Sequence, residues 1–590
     1  MNIRALSAAI WLVAIVVVAY ASSFQGLFFF DDEHIFRDGI RSWPTMTEFF
    51  RPGRSLVNLT FTANLKVNGF DPWGYHLVNL AVHLATALTI WSVAKWGADQ
   101  VFGQGKCHSE QVYVSDSTLF GWTVAVLWAV HPLTTESVTY VVQRYEAMAV
   151  LFMLLTLRCW CGIMEGRPGY LLGVFLFSWC AVLSKEITLA LPFVLIAWEF
   201  FFRKHVNQSQ GDPPANLRLV KSIGAFFVFT SWISQVMVVG GYLASQTAVA
   251  TTSDILPRVT VDRVSPWDYL KTQSCVIFHY LKLVVFPIDL RLDYGWPIER
   301  DPWRFVPCMF ALTLTAVVGG FLWTKRAVLG LLIIMCFIAL APRSSFVPSP
   351  DMVFEHRMHF PLVFVVAILQ VGLFWLAFRT SLPRKFFVGA SLLLVLLFGA
   401  RTHLRNQDYQ SELTFWRKNY ELSPENPRVN HTLGIVLANQ GKWEKAKSLF
   451  QTAVEINPGS AKYWLALGDA ERELGNVNEA IEIFTKIVEC GQLEGPALQR
   501  RGYLREVKGD LVGAEQDYRR AVRLEDAEAT YNLALLLFKR KGFEEALVLC
   551  RSLQGNEQLA AAVSKLTASI RNAEREAAKT SRESSTETQR

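Results

Sequence analysis

The chain has 590 residues, of which 52% are hydrophobic and only 18% charged, and its formal net charge is +7. Apolar runs long enough to cross a bilayer recur through the first 400 residues, so the composition excludes a soluble multidomain protein and indicates a polytopic membrane protein. The basic residues lie largely at predicted helix ends, where membrane topology explains them better than nucleic-acid binding does. The nine cysteines are scattered and show neither a disulfide framework nor metal-ligand spacing.

The predicted elements begin with an apolar span at residues 5–23, followed by a large polar loop at residues 24–75. An aromatic, amphipathic segment at residues 266–287 is predicted to lie in the membrane interface or to re-enter it. Counting the first, about eleven spans are predicted. The later ones fall at 76–96, 118–131, 142–164, 170–184, 187–202, 222–243, 305–324, 327–342, 361–378 and 386–400.

The side of the membrane follows from the basic residues in the short loops. They place the amino terminus inside, and therefore both the loop at 24–75 and everything after residue 401 outside. The expected location is a bacterial inner membrane with the carboxyl-terminal part in the periplasm. In a eukaryotic host it is the endoplasmic reticulum membrane with that part in the lumen.

A soluble pattern with an internal repeat begins at residue 401. Gly434, Gly468 and Gly502 are 34 residues apart, and an alanine and an aromatic residue recur in the same register. A 34-residue period with small residues where two helices touch is typical of tetratricopeptide repeats. The sequence therefore predicts an all-α protein: a membrane domain at 1–400, a tetratricopeptide domain at 401–572, and a charged, disordered tail at 573–590.

Asp31 and Asp32 follow directly on Phe28-Phe29-Phe30 at the end of the first apolar segment. Paired carboxylates at a membrane boundary indicate a functional site. They are also compatible with an ordinary solvated helix exit, and the pair alone does not separate the two interpretations.

Further polar residues fall on the same predicted side. His76, Asn79 and His83 form one stripe of a helix, for which a helix-gluing role is favoured. Acids together with cations from several loops suit a reaction on a lipid-linked phosphate, because cations hold the phosphate while a carboxylate takes a proton from a hydroxyl. The same set also suits a transporter or an anionic-lipid site. The loop clusters are His131-Pro132-Leu133-Thr134-Thr135-Glu136, Gln143-Arg144, Ser184-Lys185-Glu186, Asp293-Tyr294 and Glu355-His356-Arg357.

The ordered set resembles the GT-C superfamily of polytopic glycosyltransferases. More narrowly, it is similar to the TMTC group of transmembrane and tetratricopeptide repeat-containing proteins and their bacterial relatives. The matching pieces run in the family's order over roughly residues 25–360. They are Phe30-Asp31-Asp32, Arg51-Pro52, His76-Leu77-Val78-Asn79 with His83, His131-Pro132 with Thr135-Glu136, Gln143-Arg144, Leu183-Ser184-Lys185-Glu186, Pro287 with Leu292-Asp293-Tyr294, and Phe354-Glu355-His356-Arg357-Met358.

The resemblance implies transfer of a hexose, mannose in characterised members, from a polyprenyl-phosphate sugar to a protein hydroxyl on the exterior side. It implies an inverting reaction without a metal or other cofactor. Asp31 or Asp32 would be the catalytic base or bind the acceptor. The candidates for binding the lipid phosphate are Arg144, Lys185 and Arg357. The residues expected to line the site are His76, Asn79, His131, Glu136, Glu186, Glu355 and His356.

The repeat array is short, about four copies where animal members carry more, so the sugar and the acceptor stay open. The repeats are expected to engage the acceptor protein or another partner. Two alternatives stand beside this prediction. One is a non-catalytic membrane-anchored scaffold, against which eleven spans argue. The other is a lipid-linked oligosaccharide ligase, against which the aspartate pair argues.

Overall fold

The computed structural model describes residues 3–29, 31–32, 54–102, 117–210, 215–252, 264–349, 351–379, 384–556 and 558–587. These residues form helices and short 3₁₀ turns, with no β-strand among them. They divide into two compact units, one ending at Ser423 and one beginning at Pro424. The predicted all-α class is therefore confirmed, whereas the GT-C arrangement stays a prediction. The family matches at Phe30 and Arg51-Pro52 lie outside the described residues.

The helices of the first unit are numbered in chain order. They are α1 (Ile3–Tyr20), α2 (Ser55–Asn68), α3 (Pro72–Phe102), α4 (Ser117–Ala129), α5 (Thr135–Thr139), α6 (Arg144–Met164), α7 (Leu171–Val182), α8 (Leu191–Gln210), α9 (Ala215–Thr252), α10 (Pro266–Val285), α11 (Pro302–Thr324), α12 (Val328–Leu340), α13 (Pro361–Arg379), α14 (Arg384–Asp408) and α15 (Glu412–Leu422).

Within the described ranges, six segments are long and apolar enough to cross a membrane, and four shorter apolar helices accompany them. These ten coincide with ten of the eleven predicted spans. The eleventh, at 187–202, falls on a 3₁₀ turn (Glu186–Ala190) and α8. The chain is thus a membrane protein, and the exact number of spans stays a prediction. The predicted interfacial segment forms α10, which is capped by Ser265 and begins at Pro266.

A continuous apolar core joins the membrane helices. It includes Leu80 of α3, Trp128 of α4, Val150 of α6, Leu331 of α12 and Leu362 of α13, each no more than 3% exposed. Lipid tails are as apolar as these side chains, so close packing holds such helices together more than the exclusion of water does. This core fixes the helix ends that carry the polar loops.

The first unit extends past the predicted boundary at residue 400. Helix α14 runs without a break from Arg384 to Asp408, so residue 400 falls inside a helix. Helix α15 then packs back on the start of the chain, because the Phe415 ring lies 5.0 Å from the ring of Phe29. The unit therefore closes at Ser423.

The second unit contains the repeat. Its helices are α16 (Pro427–Asn439), α17 (Trp443–Ile456), α18 (Ala461–Glu473), α19 (Val477–Cys490), α20 (Glu494–Val507), α21 (Leu511–Val522), α22 (Ala527–Lys539), α23 (Phe543–Ser552) and α24 (Ala560–Glu587).

The 34-residue period has a direct steric cause. A Cβ atom added at Gly434 would lie 2.4 Å from the Phe450 ring, and one at Gly468 would lie 2.6 Å from the Phe484 ring. The same addition at Gly502 would bring a Cβ to 2.8 Å from its aromatic partner. Each helix pair thus closes by pressing an aromatic ring against a glycine of the preceding helix, which confirms the predicted tetratricopeptide architecture.

The tail predicted to be disordered differs in the structure. Helix α24 begins before residue 573 and continues to Glu587. Its first turns are anchored by the buried side chains of Val563, Leu566 and Ile570. Many of the following residues (Arg575, Glu576 and Ala577 among them) are exposed helix formers, so the helix is propagated from the anchored turns.

Candidate active site

The two aspartates of the first loop have different surroundings. The Asp32 side chain is fully buried. One of its carboxylate oxygens accepts a hydrogen bond from the Phe29 N–H at 2.9 Å and the other accepts from the Val142 N–H at 2.7 Å. Burial raises the pKa of Asp32 to about 8, although these hydrogen bonds oppose the rise. Asp32 thereby ties the first loop to the start of α6.

Asp31 is only partly buried. Its backbone N–H donates to the Tyr140 hydroxyl at 3.0 Å, which fixes the main chain at this point. Of the two aspartates, Asp31 is therefore the less buried.

The stripe on α3 holds the membrane helices to the polar turns. The Asn79 amide nitrogen donates to the Val138 carbonyl at 3.0 Å, and the His83 Nε2 donates to the Ala129 carbonyl at 2.9 Å. The His76 Nε2 lies 3.3 Å from the Gly26 carbonyl oxygen. All three side chains are buried, so they act as the polar links between helices that the sequence pattern favoured.

His131 also bonds within the protein. Its Nε2 donates to the Val284 carbonyl at 2.9 Å, and its Nδ1 accepts from the Leu133 N–H at 3.2 Å. The ring thus caps the 3₁₀ turn at Pro132–Thr134 and ties it to the end of α10.

Arg144 is fully buried at the start of α6. Its guanidinium donates to the side chains of Asn79 at 2.6 Å and Asn64 at 2.7 Å, and to the Tyr75 carbonyl at 3.0 Å. It also lies 4.3 Å above the Phe61 ring. These contacts join α2, α3 and α6, and they direct the guanidinium towards protein groups rather than towards a cavity.

Lys185 lies in a buried ionic cluster. Its ammonium is 2.9 Å from a Glu146 carboxylate oxygen and donates to Gln143 at 3.1 Å. Burial lowers the pKa of Lys185 to about 8, and the Glu146 carboxylate opposes this shift. A second cation, Arg343, lies 3.7 Å from the same Glu146 carboxylate and pairs with Glu186.

A small cleft with a volume of about 10 Å³, room for roughly one water molecule, lies beside this cluster. Arg343, Arg357 and Ser344 contribute donors to its lining, and Ile187 and Phe360 form part of its apolar wall. Within the part of the chain that the structure describes, the Arg357 Nε and the Ser344 hydroxyl are buried without a hydrogen-bond partner. Buried donors left unpaired cost free energy, so a hydrogen-bond acceptor in this cleft would complete them. The Glu146 carboxylate also lines the cleft.

Tyr269 of α10 aligns the two arginines of the cleft. Its hydroxyl donates to the Arg343 carbonyl at 2.5 Å and accepts from the Arg357 guanidinium at 3.2 Å. The second terminal nitrogen of the Arg357 guanidinium, Nη2, donates to the Asp351 carbonyl at 2.6 Å. The guanidinium is thereby held in place, and its Nε has no hydrogen-bond partner within the described ranges.

Glu136 and His356 form a buried pair next to Arg357. The Glu136 carboxylate accepts the His356 backbone N–H at 2.9 Å, and its other oxygen lies 2.7 Å from the His356 Nδ1. Burial, followed by the nearby Glu355, raises the pKa of Glu136, and burial together with neighbouring cations lowers the pKa of His356.

Glu355 is held separately. It accepts from the Tyr294 hydroxyl at 2.9 Å, and its second oxygen lies 3.6 Å from the Arg405 guanidinium. Burial raises the pKa of Glu355, and Arg405 opposes the rise. Glu355 therefore joins the loop around residue 294 to α14.

The sequence-predicted residues thus divide into two groups. Lys185, Glu186 and Arg357 belong to the cleft or its ionic cluster, with Glu136 and His356 beside Arg357. All of the others except Asp31 hold helices or turns together: His76, Asn79, His131, Arg144, Asp32 and Glu355. Asp31 lies partly buried in the first loop. Among the described residues, no group of three or more His, Cys, Asp or Glu could hold a metal ion, and the expectation of a metal-free reaction stays a prediction.

Arg343 was missed by the sequence interpretation. It follows α12 at a predicted exterior helix end, where the positive-inside tendency disfavours arginine. An arginine against that tendency, next to Pro342, is the signal that could have identified it.

Comparison with known proteins gives matches in both units. A tetratricopeptide repeat family model matches residues 431–493. Protein O-mannosyl-transferase Tmtc3 of Drosophila melanogaster is 25% identical over 481 residues, which cover 73% of this chain and 51% of the relative. Protein O-mannosyl-transferase TMTC1 of Homo sapiens is 22% identical over 475 residues, which cover 71% of this chain and 50% of the relative.

The chain is similar to the TMTC protein O-mannosyl-transferases. The resemblance inferred from the ordered motifs is thereby confirmed. Protein O-mannosyl-transferase F38B6.6 of Caenorhabditis elegans extends the likeness to 76% of this chain, at 22% identity. The chain spans about half the length of its Drosophila and human TMTC relatives, and the matched length exceeds the second unit, so the likeness includes the membrane unit.

Proposed function

We propose that this chain is a membrane glycosyltransferase that moves a mannosyl group from a polyprenyl-phosphate donor to a hydroxyl of an acceptor protein on the exterior side. The observation that carries the proposal is the cleft formed by Arg343, Arg357 and Ser344, with Lys185 in the adjoining ionic cluster. Similarity to the TMTC protein O-mannosyl-transferases supports the type of reaction and the sugar.

The cleft suits the phosphate of the donor. Arg343 and Arg357 supply fixed cationic donors, and the unpaired Arg357 Nε and Ser344 hydroxyl can each donate to a phosphate oxygen. As the bond between the sugar and the phosphate breaks, negative charge builds up on the departing phosphate. Cations already held in place stabilise that charge without having to reorganise.

Asp31 is the base in this proposal. Its carboxylate takes the proton of the acceptor hydroxyl while the hydroxyl oxygen attacks the anomeric carbon of the sugar. The carbon–oxygen bond to the phosphate breaks, and its electron pair leaves with the polyprenyl phosphate. Asp31 is preferred to Asp32 because both oxygens of Asp32 already accept backbone hydrogen bonds and its side chain is fully buried.

Asp32 and Arg144 are positioning residues in this scheme. Asp32 fixes the loop that carries Asp31 on the start of α6. Arg144 fixes α2 and α3 on the same helix. The resemblance implied that Arg144 binds the phosphate. In this proposal Arg343, which lines the cleft, binds it instead.

The tetratricopeptide unit serves to engage the acceptor protein or a partner. Stacked helix pairs present an extended surface that suits an unstructured segment of another protein. Such a segment is also what a transferase acting on serine or threonine hydroxyls must reach.

The test is transfer from radiolabelled polyprenyl-phosphate mannose into membrane and soluble protein by membranes that contain the full chain. Asp31→Asn is expected to abolish transfer at unchanged abundance of the protein. Arg167→Gln serves as the matched control, since this arginine is 61% exposed and lies outside the cleft. Full activity of Asp31→Asn would refute the assignment of the base, and no transfer by the unmodified chain would favour a scaffold.

A further inference from the structure

Two cysteines meet between α10 and α11. Cys275 of α10 and Cys308 of α11 lie close enough for their side chains to interact. The Cys275 Sγ also lies 3.7 Å from the Arg304 carbonyl oxygen. Residue 304 is one helical turn before residue 308, so its carbonyl points along α11 towards residue 308. The contact therefore brings the Cys275 thiol to the face of α11 that carries Cys308.

The surrounding contacts hold this pair in register. The Glu299 N–H donates to the Thr272 hydroxyl at 2.9 Å, and the Lys271 ammonium lies 5.4 Å from the centre of the Phe305 ring. These contacts join the turn of α10 that precedes Cys275 to the entry of α11. Both cysteines are only partly buried within the protein, and Cys308 lies near the predicted exterior end of its membrane helix.

The redox state of the two thiols depends on the compartment that they face. Helix α10 contacts the cleft through Tyr269, which bonds to Arg343 and Arg357. The cleft lies on the predicted exterior side, and the periplasm and the endoplasmic reticulum lumen oxidise paired thiols.

We propose that Cys275 and Cys308 form a disulfide that fastens α10 to α11. A thiol–disulfide oxidoreductase of the exterior compartment is the oxidant. The two thiols lose two protons and two electrons, the Sγ–Sγ bond forms, and the disulfide of the oxidoreductase becomes a dithiol. The bond fastens the helix whose Tyr269 aligns the two cleft arginines. The proposal is independent of the transferase activity.

Differential alkylation of the full chain tests the proposal. Membranes are dissolved in SDS with N-ethylmaleimide, then reduced and labelled with an isotopically heavy form before peptide mass spectrometry. Cys275 and Cys308 are expected to carry the heavy label, whereas Cys159 of α6 and Cys336 of α12 are expected to carry the light one. A non-reduced digest is expected to contain the linked peptide pair.

Cys275→Ser is the matched variant, in which Cys308 is expected to switch to the light label. Light label on both cysteines of the unmodified chain would overturn the proposal. Heavy label on Cys308 in the Cys275→Ser variant would also overturn it, because Cys308 would then be bonded elsewhere.

Discussion

Replacing Arg343 with glutamine tests the role of the cleft while leaving the adjoining Lys185–Glu146 pair in place. The substitution removes one of the two cleft arginines, while Glu146 keeps its 2.9 Å contact with Lys185. The other partner of Arg343 is Glu186, whose side chain is 38% exposed and can be solvated. The fold is therefore expected to survive the change.

The expected loss follows from the interaction that is removed. A hydrogen bond to a charged group contributes about 1.5–3 kcal/mol. Because 1.36 kcal/mol corresponds to a tenfold change in rate, kcat/KM for the polyprenyl-phosphate donor should fall roughly 10- to 150-fold. Arg343→Lys keeps the charge but not the planar fork, so its loss should be smaller.

The assay is the initial rate of transfer at several donor concentrations, compared with Arg167→Gln at equal abundance. A kcat/KM for Arg343→Gln within twofold of the control would refute the reasoning. The phosphate would then not be bound in this cleft.

Three further perturbations test the roles assigned to Asp32, Lys185 and Gly468. Asp32→Asn leaves one side-chain acceptor for the two backbone N–H donors, so we expect the protein to lose about 1–3 kcal/mol of stability. The loss would be measured as a lower Tm, and an unchanged Tm would contradict the positioning role. Donor binding should weaken as the pH rises through about 8, because Lys185 then loses its proton, and Lys185→Arg should move this fall to higher pH. The stability of the fold changes in the opposite direction. The pKa of Lys185 is lower in the folded than in the unfolded chain, so the folded state becomes more stable as the pH rises from about 8 to the ordinary lysine pKa of about 10.4. Gly468→Ala would place a Cβ 2.6 Å from the Phe484 ring, and overpacking of this kind costs about 1–3 kcal/mol. Limited proteolysis of the second unit should therefore become faster. Unchanged resistance to the protease would count against the steric origin of the 34-residue period.

Much of the architecture is local and could be predicted. Apolar runs set the membrane helices, because no other element satisfies backbone groups in lipid. The glycine–aromatic period set the repeat, because each helix pair closes by the same contact. The extent of the first unit escaped prediction, because the packing of Phe415 on Phe29 joins residues that are far apart in the chain.

The sequence by itself predicted that the aspartate pair, Lys185 and Arg357 lie at helix ends on one side of the membrane. Only the tertiary structure decided how they differ. Asp32 and Arg144 are saturated by hydrogen bonds from distant segments, whereas Arg357 keeps an unpaired donor beside Arg343. Hydrogen-bond saturation depends on partners brought in from elsewhere in the fold, so no local pattern records it.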